Sequence, residues 1–183
     1  MSNLRELTKV HHTRTEKSKF ITKMLKHQIT VGQYYVYLSN MWLMYDTLEK
    51  HAHNLGIFED IEAVKRSIPI MKDLEELELL HGFKIPTPFD STVAYQEYIL
   101  SISGDAEKLL SHVYVHHMGD LSGGQILKRF VFGSALRYQF EGDLDSLKAN
   151  IRSKLHDGLA DEAIVCFDMV RIFLEELEEN NWQ

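Results

Sequence analysis

Apolar residues recur at helical spacing through almost the whole chain. Between positions 32 and 50, Tyr37, Met41, Met44, Tyr45 and Leu48 share one broad face, the stripe of a helix that buries one side. Most of that face is core. A helix over 69–81 follows, with Pro69 in its first turn and Gly82 just past its end, the usual start and stop asymmetry. Pro86 and Pro88 mark 83–90 as a loop. Segments 91–103 and 105–117 are predicted helices broken at Gly104, and helix is predicted to continue beyond a glycine-rich stretch to about Arg137. Gly142 marks a turn, 144–156 is helical and stops at Asp157-Gly158, and 160–179 forms the last helix. At the other end, Asn3 followed by Glu6 predicts a capped helix start. Two-residue alternation is nearly absent, so the class is all-α, a multi-helix bundle forming one domain over 1–183.

Composition narrows this picture in three ways. With 183 residues and 44% hydrophobic content the chain can bury one substantial core. Its formal net charge of −7 argues against nucleic acid as the main partner, because phosphate binding needs a basic surface. Its one cysteine, Cys166, excludes an intrachain disulfide and suits a reducing cytosol. In the run Ala163-Ile164-Val165-Cys166-Phe167 it is expected to be a small core residue. No run approaches the ~18 apolar residues of a membrane span, and the N-terminus lacks the layout of a signal peptide. A cytoplasmic monomer without a membrane anchor is the expectation.

The helical pattern has one local contradiction. Gly119-Asp120-Leu121-Ser122-Gly123-Gly124-Gln125 sets three glycines and a carboxylate inside a stretch that otherwise predicts helix. Each interior glycine costs about 1 kcal/mol relative to alanine. Helix-on-helix contact through small residues, or a loop joining two helices, is one explanation. The other is that Gly119, Gly123 and Gly124 clear one side of the helix for something flat and bulky, with Asp120 at the edge of the bare strip. The full run from Tyr114 to Gln125, YVHHMGDLSGGQ, resembles the distal-helix signature of the heme oxygenases.

That resemblance implies heme held between a proximal N-terminal helix and this glycine-rich distal helix. On the N-terminal helix Leu4, Thr8, His12 and Glu16 form one row at intervals of four, while Leu7, His11 and Thr15 form an equally regular row about 100° away. Periodicity leaves both histidines open as the iron ligand. The family pattern, a histidine four residues after a threonine and four before a glutamate, selects His12 as the metal ligand, with Glu16 bonded to its other ring nitrogen. Lys148 and Arg152, at i and i+4 beside an apolar row, lie in a stretch similar to the family's propionate segment. Arg5 and Tyr114 match its other anchors, Tyr45 matches a tyrosine of the distal hydrogen-bond network, and Phe167 an aromatic that walls the pocket. Two departures stand out: His116 and His117 replace the arginine and aromatic common before the glycine run, and Val170 replaces an asparagine common in the last helix.

The implied activity is cleavage of heme b, both substrate and cofactor, at the α-meso carbon to biliverdin IXα, CO and Fe2+, using O2 and an external electron donor. Asp120, with Gly119, Gly123 and Tyr45, would hold the water that supplies protons. No flavin or NAD signature occurs in the chain. Arg5, Lys9, Arg14, Lys17, Lys19, Lys23 and Lys26 crowd the region carrying His12, whereas Glu175, Glu176, Glu178 and Glu179 crowd the last turns. The basic crowd is the expected dock for an acidic donor such as ferredoxin. The polar C-terminus resembles the soluble heme oxygenases of bacteria, plastids and their phages. The alternatives are a non-catalytic heme carrier or sensor, a thiaminase or quinone-cofactor enzyme of the same architecture, and a non-heme metal protein using His11, His12, Glu16, His51, His53 and His116.

Overall fold

A computed structural model describes residues 2–180; Met1 and the last three residues of the polar C-terminus lie outside the described residues. Helices are α1 (Leu4–Leu7), α2 (Lys9–Glu16), α3 (Lys19–Leu25), α4 (Val31–Asn54), α5 (Ser67–His81), α6 (Asp90–Ser101), α7 (Ala106–Val113), α8 (Gly119–Leu121), α9 (Gly124–Leu127), α10 (Leu144–Ser153) and α11 (Ala160–Glu179). Among the described residues there is no strand, and no helix is long and apolar enough to cross a membrane.

The axis of the bundle is α4. Thr30 and Gln33 close a capping box at its start, and one face buries Leu38, Met41, Met44, Tyr45 and Leu48 against α5, α6 and α7. Helix α11 closes the other side, packing on α2, α3, α6 and α7. Cys166 sits in this interior as a buried free thiol. Gly82 ends α5 in the left-handed conformation that favours glycine (φ +69°).

Three local expectations change. The N-terminal helix breaks at Thr8 into α1 and α2, and the Asn3 side chain makes no capping bond. Its backbone N–H, with the Ser2 hydroxyl, is instead held by the Asp157 carboxylate from beyond α10. Helix also stops at Leu127 rather than running to Arg137: the chain turns through Gly133 (φ +74°) and Ala135 (φ +53°) into a short 3-10 turn, Leu136–Tyr138. Glu76 fastens this loop by accepting from the Ser134 N–H (2.7 Å) and hydroxyl (2.9 Å). The third change is in charge. The acidic last turns lie beside the basic helix α3, with Lys23 Nζ 2.8 Å from Glu178 Oε2, so the two charged regions partly neutralise each other.

Candidate functional site

The glycine run is a segment of broken helix. Helix α7 passes into a π turn at Tyr114–Met118, then α8, then a bend at Ser122, then α9. Widened turns of this kind recur at functional sites. The glycines divide in role. A Cβ on Gly119 would meet nothing within 4 Å, and on Gly123 only the Gly119 carbonyl at 3.8 Å, so these two leave bare backbone facing open space. Gly124 points the other way: a Cβ there would stand 2.7 Å from Cδ1 of the buried Tyr138 ring. The expectation that all three glycines clear one strip is corrected to Gly119 and Gly123; Gly124 lets the segment close on Tyr138.

Asp120, between the open glycines, turns inward and is buried. Its Oδ2 accepts from the Tyr45 hydroxyl at 2.6 Å and its Oδ1 from Arg137 Nη2 at 3.0 Å. Arg137 also donates to the Tyr37 hydroxyl (3.1 Å) and the Tyr45 oxygen (3.2 Å). Burial disfavours a guanidinium charge, but Asp120 and the surrounding tyrosines outweigh it and hold the Arg137 pKa well above its ordinary value. The arginine is placed by its backbone: Asp73 of α5 accepts from the Leu136 and Arg137 N–H groups at 2.7 and 2.8 Å. Arg66 donates to the carbonyls of Arg137 (3.3 Å) and Gln139 (2.6 Å). Arg137 Nε and the hydroxyls of Tyr34 and Tyr138 are buried without a hydrogen-bond partner, the polar lining expected where ordered water enters.

The histidines before the glycine run turn inward too. His117 Nε2 lies 2.9 Å from Glu49 Oε1 and its Nδ1 3.1 Å from the Val113 carbonyl. Burial would raise the Glu49 pKa, but bonds from His117, the Arg66 N–H and Ser67 outweigh it and hold the carboxyl below its usual range. His116 stands beside Tyr45, ring centroids 5.0 Å apart, and bonds Tyr95; burial pushes its pKa well below the usual histidine value.

On α2 the two candidate histidines separate clearly. His11 Nδ1 is 3.1 Å from Asp168 of α11, which commits that ring to helix packing. His12 is half exposed, its Nδ1 3.4 Å from Glu16 Oε2 and its ring edge-on to Phe167 at 5.7 Å. With Nδ1 turned to the carboxylate, Nε2 is the free nitrogen. Arg5 is exposed, and Tyr114 packs partly buried against Leu4, Leu159 and Ala163. Helix α10, carrying Lys148 and Arg152, packs on the π turn and α8. Lys148 is partly covered with its Nζ 3.7 Å from Asp145, and Arg152 is exposed. The other candidate metal ligands do not converge: His53 pairs with Glu62 (3.2 Å) and His116 with Tyr95. No group of three His, Cys, Asp or Glu side chains that could hold a metal ion exists among the described residues.

Sequence reasoning missed Arg137, Tyr37 and Tyr95 as members of this buried network, and His112, whose Nδ1 lies 3.0 Å from the Tyr95 hydroxyl. The signal for Arg137 is a lone charge in the apolar stretch Ala135-Leu136-Arg137-Tyr138, which must either face water or find a buried partner.

The chain is also similar in sequence and fold to known proteins. A profile of the heme oxygenase family matches residues 1–167. Heme oxygenase 1 of Nostoc sp. is 28% identical over 98% of this chain and 86% of its own length. Heme oxygenase 1 of Pongo abelii is 28% identical over 69% of this chain, but that match spans only 46% of the relative. The fold superposes on heme oxygenase-1 of Synechocystis sp. in complex with heme at a TM-score of 0.82, with 24% identity, covering 97% of this chain and 91% of that one. Heme oxygenase from Leptospira interrogans superposes at 0.81, with 25% identity, covering 94% and 97%. With the family profile spanning nearly all of it, the chain belongs to the heme oxygenase family.

Proposed function

We propose that this chain opens heme at the α-meso carbon to biliverdin IXα, carbon monoxide and ferrous iron, using O2 and electrons from an external donor of the ferredoxin class. The observation that carries the reading is the split of the glycine run: Gly119 and Gly123 present bare backbone to open space while Asp120 between them is fixed from behind by Tyr45 and Arg137. A flat macrocycle fits that strip, and an imidazole with one nitrogen tethered and the other free fits its iron.

Bound heme supplies the iron at which O2 is reduced and is also the ring that is opened. His12 is the proposed ligand through Nε2, with Glu16 holding the Nδ1 proton and so the tautomer. Phe167 walls the ring edge-on. Gly119 and Gly123 would let the distal backbone approach bound heme closely and so exclude bulk water. Asp120, held by Tyr45 and Arg137, orders water at the edge of the strip, and that water hands protons to the distal side. Lys148 and Arg152, with Arg5 and Tyr114, are the proposed propionate partners; charge-assisted bonds there fix the rotation of the ring and so which meso carbon is attacked. Arg14, Lys17 and Lys19 remain exposed in and just after the helix that carries His12 and form the proposed donor dock, smaller than the sequence suggests because Lys23 is paired with Glu178 and Lys9 with Glu6.

The test is direct. Hemin is titrated into the protein and the Soret band recorded, then reductant and air are added and the pigment extracted and resolved into isomers. Biliverdin IXα is the expected product. A stable holoprotein that never yields bilin would establish a heme carrier or sensor instead.

A further inference from the structure

Behind the distal segment, four side chains from α11, α7, α6 and the π turn form an unbroken hydrogen-bonded line that the proposed activity has not used. Glu162 of α11, whose side chain is 13% exposed, lies 3.1 Å from Nε2 of the buried His112. His112 Nδ1 is 3.0 Å from the Tyr95 hydroxyl, and that hydroxyl is 3.0 Å from His116 Nε2. Tyr98 donates to the same Glu162 oxygen at 2.6 Å. We propose that Glu162, His112, Tyr95 and His116 are a proton relay from the outer face of α11 to the distal side; the proposal rests on the heme oxygenase reading.

The polarity of the line follows from one ionisation. Burial would raise the Glu162 pKa, but His112 and Tyr98 outweigh it, so the carboxylate is ionised and only accepts. His112, kept neutral by burial, must then carry its proton on Nε2 and accept on Nδ1. The single Tyr95 proton goes to His112, so Tyr95 oxygen accepts from His116 Nε2–H. His116 Nδ1 is left without a protein partner, and the small exposed fraction of this residue, 6%, is where the proposal has water meet it. This nitrogen sits one turn before Asp120, beside the Tyr45 ring. The other groups facing the line are the Cys166 thiol and Tyr45 beside Tyr95, Lys108 near Glu162, and His117 and Arg137 near His116.

The step balances. In the loaded form Glu162 is protonated and both imidazoles carry their proton on Nδ1. Discharge moves the Glu162 proton to His112 Nε2, the His112 Nδ1 proton to the Tyr95 oxygen, the Tyr95 proton to His116 Nε2, and the His116 Nδ1 proton to water in the pocket. Each inner group ends with the proton count it began with, one proton has crossed, and Glu162 is reloaded from solvent as the line turns. Reduction of O2 consumes protons, so such a supply has a use in the proposed reaction.

Two variants test it. Tyr95→Phe keeps the ring and removes the central hydroxyl. Hemin binding should be unchanged while single-turnover bilin formation slows about tenfold or more and becomes dependent on the concentration of a small weak-acid buffer that does not affect the wild type. Glu162→Gln, at the partly exposed end, offers His112 Nε2 either an amide oxygen or an amide donor. In the heme-free protein, 15N NMR should show His112 and His116 sharing one tautomer: Nε2–H in the wild type and, in Glu162→Gln, whichever form His112 takes, although His116 does not touch the substituted residue. A wild-type protein that makes bilin, with Tyr95→Phe equally fast and buffer-independent, would overturn the relay and leave the activity standing. So would a wild-type or Glu162→Gln protein in which the two histidines hold different tautomers. Failure of the wild type to make any bilin would instead remove the activity, while the paired tautomers still report whether the line is continuous.

Discussion

Alanine substitutions at Gly119 and Gly124 should have opposite effects, although both glycines lie in one short run. Gly119 has helical dihedrals (φ −59°, ψ −48°) and open space where a Cβ would stand. With no ligand present, Gly119→Ala meets no clash and loses the entropic penalty of glycine, so the apoprotein should gain about 0.5–1 kcal/mol. At this chain length that raises the melting temperature by about 1–4 °C. The added methyl occupies the bare strip, and hemin affinity should fall at least about tenfold, a loss of ~1.4 kcal/mol. At Gly124 the Cβ would stand 2.7 and 2.8 Å from two Tyr138 ring carbons. Tyr138 is 1% exposed and cannot swing into solvent, so overpacking should cost about 1–3 kcal/mol and lower the melting temperature by about 2–12 °C. Calorimetry of both apoproteins and Soret titrations with hemin measure the two effects separately. Gly119→Ala that is destabilised without ligand yet binds hemin like the wild type would refute the assignment of that glycine to the ligand face.

Further outcomes follow from the same geometry. His12→Ala should lose the histidine-ligated spectrum and regain part of it with added imidazole, whereas His11→Ala, which removes only the bond to Asp168, should keep it; the reverse pattern in the absorption spectra would move the ligand to His11. Replacing Lys148 and Arg152 together should weaken hemin binding and mix the bilin isomers, read by chromatography of the pigment; pure α isomer at full yield would leave sterics alone in control. Arg137→Met strands Asp120 in the interior and should cost about 3–5 kcal/mol in denaturant titration, far more than removal of an exposed cation. For pH, Glu49 has a folded-state pKa held below its unfolded value. Its contribution is therefore present at neutral pH and lost as pH falls through the acid side of the glutamate range. Glu49→Gln should lower stability at neutral pH and flatten that acid limb; an unchanged limb would show that other carboxylates carry it.

Local periodicity determined a great deal. The bounds of α11 and the left-handed stop of α5 at Gly82 are written in short-range pattern, because a helix repeats every 3.6 residues and ends by local rules. The same spacing sets Glu16 one turn beyond His12 and Lys148 one turn before Arg152. The glycine run announced a site because glycine is costly inside a helix unless its missing side chain is used. What periodicity cannot carry is which residues meet across helices. His11 and His12 are equivalent in sequence, and only the docking of α11, which brings Asp168 to one ring and Phe167 to the other, separates them. Gly123 and Gly124 are adjacent, yet one faces open space and the other Tyr138, a choice made by the path of the loop that follows. That loop also delivers Arg137 to Asp120 across 17 residues, held by Asp73 and Arg66 from elsewhere in the chain. The line from Glu162 to His116 is likewise assembled from α11, α7, α6 and the π turn. Partners of buried polar groups are fixed by packing, since a buried charge or donor must find whichever group the fold brings within 3 Å or so, and no local rule encodes that meeting.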